Sequence, residues 1–138
     1  MTTHIPDALR REVTSRAAQR CEYCRVHQED RLFAHEIDHI IAEKHGGETQ
    51  STNLSLACSE CNRFKGSDLC SLDSVTQTIV TLFNPRSRRW ADHFRVADGV
   101  IEALTPAGRV TTRLLQFNRL DSIDRRRSLI RLGRYPIE

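Results

Sequence analysis

Apolar residues Leu9, Val13 and Ala17 fall at helical spacing behind Pro6-Asp7, which predicts an opening helix that runs toward Arg20 and Cys21. Leu32 to Ile41 is apolar and β-branched enough for a strand, Gly46-Gly47 marks a turn, and Leu54 to Ala57 reads as a short returning strand. A helix starting near Ser59 then carries Asn62 and Lys65 until Gly66 stops it, so the pattern predicts a ββα unit. Beyond it, Asp73 to Gln77 reads as a turn. Ile79 to Phe83 favours an extended segment, although Val75, Ile79 and Phe83 also fit helical spacing. Asn84-Pro85-Arg86 breaks the chain, and Phe94 to Leu104 reads as a hairpin turning at Asp98-Gly99. Arg109 to Phe117 and Asp121 to Leu132 read as helices, with Asp121 as N-cap and Gly133 just past the end of the second. The expected class is α+β.

At 138 residues, with 38% apolar and 6% aromatic content, the chain is lean for a self-supporting core. A structural metal would offset that shortage. No stretch approaches the roughly 20 apolar residues of a membrane span, and the mean hydropathy of −0.50 fits a soluble protein.

The net charge of +3 hides an asymmetry: residues 1–84 hold 9 Lys+Arg against 12 Asp+Glu, and residues 85–138 hold 12 Arg against 6 acids. Arginine presents a planar fork matched to phosphate oxygens, so a basic C-terminal part suggests a polyanionic partner. Taken alone, Arg125-Arg126-Arg127 is better read as a solvated helix face.

The chemistry begins with Cys21-x-x-Cys24 and Cys58-x-x-Cys61. Two such hooks supply the four thiolates of a closed tetrahedral zinc site. Residues 1–20 carry Arg10, Arg11, Arg16 and Arg20 with no apolar core, unlike a secretory signal, so a reducing cytoplasm and Zn²⁺ are expected in place of disulfides. Cys70, the fifth cysteine, reads as a small half-buried thiol without a role.

Between the hooks lies a set suited to phosphodiester hydrolysis, which needs a base, a cation and groups that hold the backbone. His39 can accept a proton near physiological pH, and Asp38 offers a hard anionic oxygen to a Mg²⁺-like ion. Asn62 offers an amide oxygen as second ligand, and Asn53 can donate and accept at once, pinning the loop that orients His39. Adjacent strand residues face opposite ways, so Asp38 and His39 can share a site only where strand regularity breaks. His35 reads as a hydrogen-bonded neighbour, while Arg63, Lys65, Arg86, Arg88 and Arg89 are the candidates for phosphate contact. Trp90, His93 and Phe94 read as packed core of the C-terminal part.

Asp38-His39-Ile40, Gly46-Gly47, Asn53-Leu54, Cys58-x-x-Cys61-Asn62 and Lys65-Gly66 together resemble the HNH endonucleases, the ββα-metal or His-Me finger group, in their zinc-stapled form. The resemblance implies one nuclease domain over 1–138, with an N-terminal helix in 1–20, the stapled ββα core in 21–66 and an arginine-rich extension of hairpin and helices in 67–138. It implies His39 as general base, Asn53 as its orienting residue, and a divalent ion (Mg²⁺, Mn²⁺ or Ni²⁺) on Asp38 and Asn62. It also implies cleavage of nucleic acid, expected to be DNA, at the 3′-oxygen to leave a 5′-phosphate. The last motif residue is Asn62 where the name-giving residue is His, a weaker ligand. Leu82-Phe83-Asn84-Pro85-Arg86, Trp90-x-x-His93-Phe94, Asp98-Gly99 and Thr105-Pro106-x-Gly108-Arg109 resemble the tail of a group of small bacterial HNH proteins, with Gln77 where a Gly is expected. A homodimer is one way to bring two active sites to two strands. Two other classes remain open: a zinc module that binds nucleic acid without cutting it, and an adaptor that uses its basic tail to dock on protein.

Overall fold

The computed structural model describes residues 4–136. Helix α1 (Asp7–Arg16) is followed by strands β1 (Glu36–His39) and β2 (Leu54–Ala57), helix α2 (Ser59–Lys65), strands β3 (Cys70–Asp73) and β4 (Thr78–Thr81), the short helix α3 (Trp90–His93), strands β5 (Phe94–Ala97) and β6 (Val100–Ala103), and helices α4 (Pro106–Leu114) and α5 (Leu120–Arg131). The strands form three antiparallel pairs, β1 with β2, β3 with β4 and β5 with β6. This is an α+β architecture with a ββα unit at β1, β2 and α2. No helix among the described residues is long and apolar enough to cross a membrane.

Helix α1 lays Val13, with Leu9 and Ala17 beside it, onto Leu54 and Leu56 of β2, as the spacing of those residues predicts. Ala18 and Gln19 then take positive φ angles of 53° and 62°, reversing the chain so that Arg20 bridges His27 and Cys21 enters the first hook.

Strand β1 is shorter than the apolar run from Leu32 to Ile41 predicts. Its partner offers only four residues, paired from Glu36 with Ala57 to His39 with Leu54. Leu32 and Phe33 lie outside it, 90% and 67% exposed. Apolar content alone did not mark strand there, because nothing covers those side chains.

Strand β3 is a second departure. Cys70-Ser71-Leu72-Asp73 has few strand-favouring residues, yet it pairs along its whole length with β4. Asp73 fixes the turn: its Oδ2 accepts from Thr76 N (3.0 Å) and Oγ1 (2.8 Å), and its carboxylate is gripped by Arg109 of α4 at 2.8 and 3.0 Å. Gln77 closes the turn at φ 59°, the left-handed conformation in which a Gly was expected. The segment that could have been helix is therefore extended, and Cys70 is exposed on the hairpin face rather than half-buried.

The β5–β6 hairpin turns at Asp98 and Gly99, with φ 51° and 81°, the pair of positive angles that a two-residue I′ turn requires. Helix α4 starts three residues before Arg109, since Thr105 caps it by accepting from Gly108 N at 3.0 Å and Pro106 fills its first turn. Asp121 does not cap α5. Arg119 occupies the N-cap position with no side-chain cap bond, and Asp121 sits inside the first turn. Gly133 follows the helix at φ 72°.

One buried cluster joins the two hooks to the C-terminal part: Cys21, Cys24, Cys58 and Cys61 share it with Phe83, Phe94, Val110, Phe117 and Leu129. Trp90 and Phe94 stack at 5.0 Å, Phe94 meets Phe117 at 5.7 Å, and Trp90 Nε1 donates to Tyr23 O at 2.7 Å inside the first hook. Tyr135 Oη adds a bond of 2.7 Å to Cys24 O.

Much of the C-terminal arginine excess is held inside the molecule. Arg86 pairs with Glu22, Arg119 and Arg125 reach Glu60 at 3.4 and 3.6 Å, Arg109 holds Asp73 at 2.8 Å, and Arg134 meets Asp30 at 2.6 Å. Arg126 corrects the surface reading of its triplet: it is buried and donates to Gly99 O (2.6 Å) and Phe117 O (2.7 Å).

Candidate functional site

The four cysteines of the hooks bring their Sγ atoms within 4.8 Å of one another, all buried, and none forms a disulfide. Tetrahedral Zn–S bonds of about 2.3 Å set sulfurs about 3.8 Å apart, the separation of Cys24 Sγ and Cys58 Sγ. In each hook the third residue onward donates its amide back to sulfur, Cys24 N to Cys21 Sγ and Cys61 N to Cys58 Sγ, both at 3.4 Å. Those bonds stabilise thiolate charge. Burial pushes the Cys21 thiol well above its ordinary value, whereas hydrogen bonds from the neighbouring cysteines pull Cys58 far below its own; a divalent cation among the four sulfurs would favour the thiolate form. The cluster fits a structural zinc ion.

The staple fixes where β2 runs into α2, and β2 in turn holds β1. His39 is the last residue of β1, where strand regularity ends. Its Nε2 lies 2.8 Å from Thr49 Oγ1 and 3.6 Å from Glu43 Oε1, both in the loop joining the two strands. Asn53 holds this loop closed. Its Oδ1 accepts from Ile41 N at 2.9 Å, and its Nδ2 donates to Ile41 O and Glu48 O, each at 2.9 Å. The return path is too tight for any side chain at Gly47, where a Cβ would lie 1.7 Å from Ile41 O and 2.9 Å from Asn53 Nδ2. Gly47→Ala should therefore force the loop open and lower stability by about 3 kcal/mol. A urea unfolding curve within about 0.5 kcal/mol of the parent would show that the loop adapts.

Asp38 turns the other way. Its carboxylate is 6% exposed, and its Oδ2 accepts from Lys65 Nζ at 3.1 Å and Tyr23 Oη at 3.3 Å. Ser55, directly opposite on β2, donates to Tyr23 Oη at 3.4 Å. Burial pushes the Asp38 carboxyl above its usual range, while Lys65, Tyr23 and the neighbouring His39 pull it back. Lys65 also donates to His39 O at 3.1 Å, so one ammonium ties α2 to both residues at the end of β1.

That placement corrects one expectation. Lys65 is 2% exposed and lies against Asp38, out of reach of a phosphate at the surface. Arg86 is likewise enclosed against Glu22, which also accepts from Leu56 N at 2.8 Å. Arg63, Arg88 and Arg89 are exposed, with Arg63 lying over the Phe64 ring at 4.8 Å. His35 Nε2–H donates to Val26 O at 2.8 Å, and His45 Nε2–H donates to Ser67 O at 3.1 Å.

Asn62 lies on α2, where its Nδ2 donates to Glu36 Oε2 across from the start of β1. Glu36 shares the strand face of Asp38, two residues on. The sequence reading passed over Glu36, Thr49, Glu43 and Tyr23. Glu36 could have been found from that two-residue spacing before Asp38, but the other three meet the site only through folding. Among the described residues, the four cysteines are the only cluster of three or more His, Cys, Asp or Glu side chains placed to hold one ion.

Residues 21–68 match the family model described as HNH endonuclease. That segment runs from the first hook through the ββα unit to the end of α2, and the cysteine cluster and the ββα arrangement are compatible with a core of that type. No curated protein and no solved structure matches the chain.

Proposed function

We propose that the protein is a metal-dependent endonuclease that hydrolyses phosphodiester bonds in DNA. The observation that carries this reading is His39 at the end of β1, braced by Thr49 and set in a loop that Asn53 clamps, within a segment of HNH type. With Nε2–H donating to Thr49 Oγ1, the Nδ1 lone pair is left to take a proton from water. Glu43 Oε1 lies 3.6 Å from the same Nε2. A divalent ion on Asp38 and Asn62 would supply positive charge to the phosphate and the departing 3′-oxygen. Tyr23 and Lys65 hold the Asp38 carboxylate in one orientation, and Glu36 does the same for the Asn62 amide. Reduced thiols in the zinc staple agree with a cytoplasmic protein. Cutting both strands of a duplex would take two sites, as in a homodimer, or two encounters.

The test is conversion of supercoiled plasmid by zinc-loaded protein with Mg²⁺, Mn²⁺ or Ni²⁺. His39→Ala should lower the rate about 10³-fold with zinc content unchanged; undiminished cutting by this variant removes His39 from the role of base.

A second reading has its own support. Asp38 is enclosed by Lys65 and Tyr23, and the Asn62 amide is engaged by Glu36, a closed arrangement that suits a zinc module binding nucleic acid without cleaving it. Binding of duplex with no cutting under any of the three metals would favour it.

A further inference from the structure

A groove of about 700 Å³ runs between the C-terminal end of α1, the first hook and the segment leading into α3. Five arginines line it: Arg16 from the end of α1, Arg20 from just past the reversal that follows it, Arg25 from the hook, and Arg88 and Arg89 from beside Trp90. Among the described residues, the one carboxylate lining it is Glu22, which Arg86 already engages. Elsewhere Arg86, Arg109, Arg119, Arg125 and Arg134 pair with acids of the N-terminal part.

The Arg16 and Arg20 guanidinium groups are held by neutral oxygens. Arg16 donates to Ser51 Oγ and Leu54 O at 2.8 Å each and to Ser51 O at 3.1 Å, and Arg20 donates to Arg25 O and Arg134 O at 3.1 Å each. Neutral acceptors fix the orientation of these side chains and leave their charge in place. Arg25 stacks over the Trp90 ring at 4.8 Å. Arg88 and Arg89 are exposed, and among the described residues neither meets a carboxylate. The crowding is felt by the groups around them, since Arg16 and Arg88 add to the burial that lowers Arg86 and His93 respectively.

The groove also has a direction. Arg88 and Phe83 line a second cavity, of about 280 Å³, together with Ile40 and Ile41, the two residues that follow His39. The two cavities share Phe83 and Arg88, so the arginine groove adjoins a cavity that the segment after His39 lines together with Lys65 and Asp68. Arg16, Arg20, Arg88 and Arg89, with one engaged acid among the described residues of the groove, match a polyanion with regularly repeated charge.

We propose that this groove is a phosphodiester-binding track, which holds the backbone of a nucleic-acid strand beyond the His39 site and does so without a divalent ion. The proposal deepens the nuclease reading, on which it rests for the class of ligand, but it concerns binding and is measured apart from cleavage. Arg88 and Arg89 are the residues that contact phosphate by their side-chain ends. Arg16 and Arg20, tethered to backbone carbonyls, set the potential of the floor.

The experiment is fluorescence anisotropy of a labelled duplex DNA on zinc-loaded His39→Ala protein with no added divalent ion, across a range of salt. Adding Arg88→Ala and Arg89→Ala together should weaken binding at least about 10-fold and reduce the slope of log affinity against log salt by about 2. Arg95→Ala, which removes an exposed arginine of β5 paired with Glu102, should change neither. Unchanged affinity and slope in the double variant, or no binding by the parent, overturns the track. Displacement of the duplex by polyglutamate as readily as by unlabelled DNA also overturns it, in favour of an acidic protein partner. Plasmid cutting by the wild-type chain is scored separately. Cutting with unchanged duplex binding in the double variant sinks the track alone, whereas lost binding without any cutting sinks the nuclease reading and leaves the track standing.

Discussion

Cys58→Ser is expected to abolish cooperative folding under conditions in which the parent chain melts in one transition. Structural zinc contributes on the order of 10–16 kcal/mol in small stapled modules, which matches or exceeds the roughly 5–15 kcal/mol that holds a whole domain together. Cys58 does more than offer one sulfur. It is the N-cap of α2, accepting from Cys61 N at 3.4 Å, and belongs to the buried cluster shared by the hooks and the C-terminal aromatics. Loss of the cap alone would cost about 1 kcal/mol. Circular-dichroism melts with parallel zinc analysis separate these contributions. A deficit of only about 1 kcal/mol would assign Cys58 to capping and remove zinc from the folding equilibrium. Cys70→Ser is the control, since Cys70 is exposed and outside the cluster.

Lys65→Met carries the second largest expected effect. The change leaves the Asp38 carboxylate buried with Tyr23 Oη as its remaining side-chain donor and also frees His39 O of its bond to the ammonium. Breaking a buried pair from one side costs about 3–5 kcal/mol, whereas an exposed pair is worth about 0–1 kcal/mol. The exposed Arg95–Glu102 pair provides that comparison within the same protein. The sign of the pH dependence follows from Asp38. Its folded-state value already lies above its unfolded one, and loss of Lys65 raises it further. The variant therefore gains most by binding a proton, and its deficit relative to the parent should be full where Asp38 is ionised and shrink as pH falls through the raised Asp38 value. Asp38→Asn combined with Lys65→Met should recover part of the loss, because the amide needs no counter-ion. Urea unfolding gives all of these values. A deficit below about 1 kcal/mol in Lys65→Met would mean that water reaches the pair.

The hooks, the ββα order and the residues at the end of β1 were legible because local spacing specifies them. Two thiolates three positions apart can reach one ion, and Asn53 followed by an apolar strand already suggested a loop clamp. What could not be read was which charges turn inward. Lys65 follows Asn62 by three positions on a short helix and looks like an exposed base, but Asp38 draws it inside from the neighbouring strand. Arg86 and Arg126 are the same case, taken up by Glu22 and by the carbonyls of Gly99 and Phe117. Strand β3 was missed because its stability comes from pairing with β4 and from Arg109 gripping Asp73, neither of which leaves a mark on residues 70–73. The Leu32–Ile41 run misled in the opposite sense, since apolar residues without a covering partner do not make a strand.

The arginine-to-acid pairs have a consequence for how this chain can be cut down. Glu60 stands on α2 and receives Arg119 and Arg125 from α5 and its approach, while Glu22 in the first hook receives Arg86. A fragment ending at residue 68 would keep every residue of the family match and all four thiols. It would nonetheless expose the aromatic wall behind the staple, leave Glu22 without Arg86, and leave Glu60 with Arg31 as its remaining partner among these pairs. The portable unit, for grafting or for minimisation, is therefore larger than the motif by which it is recognised.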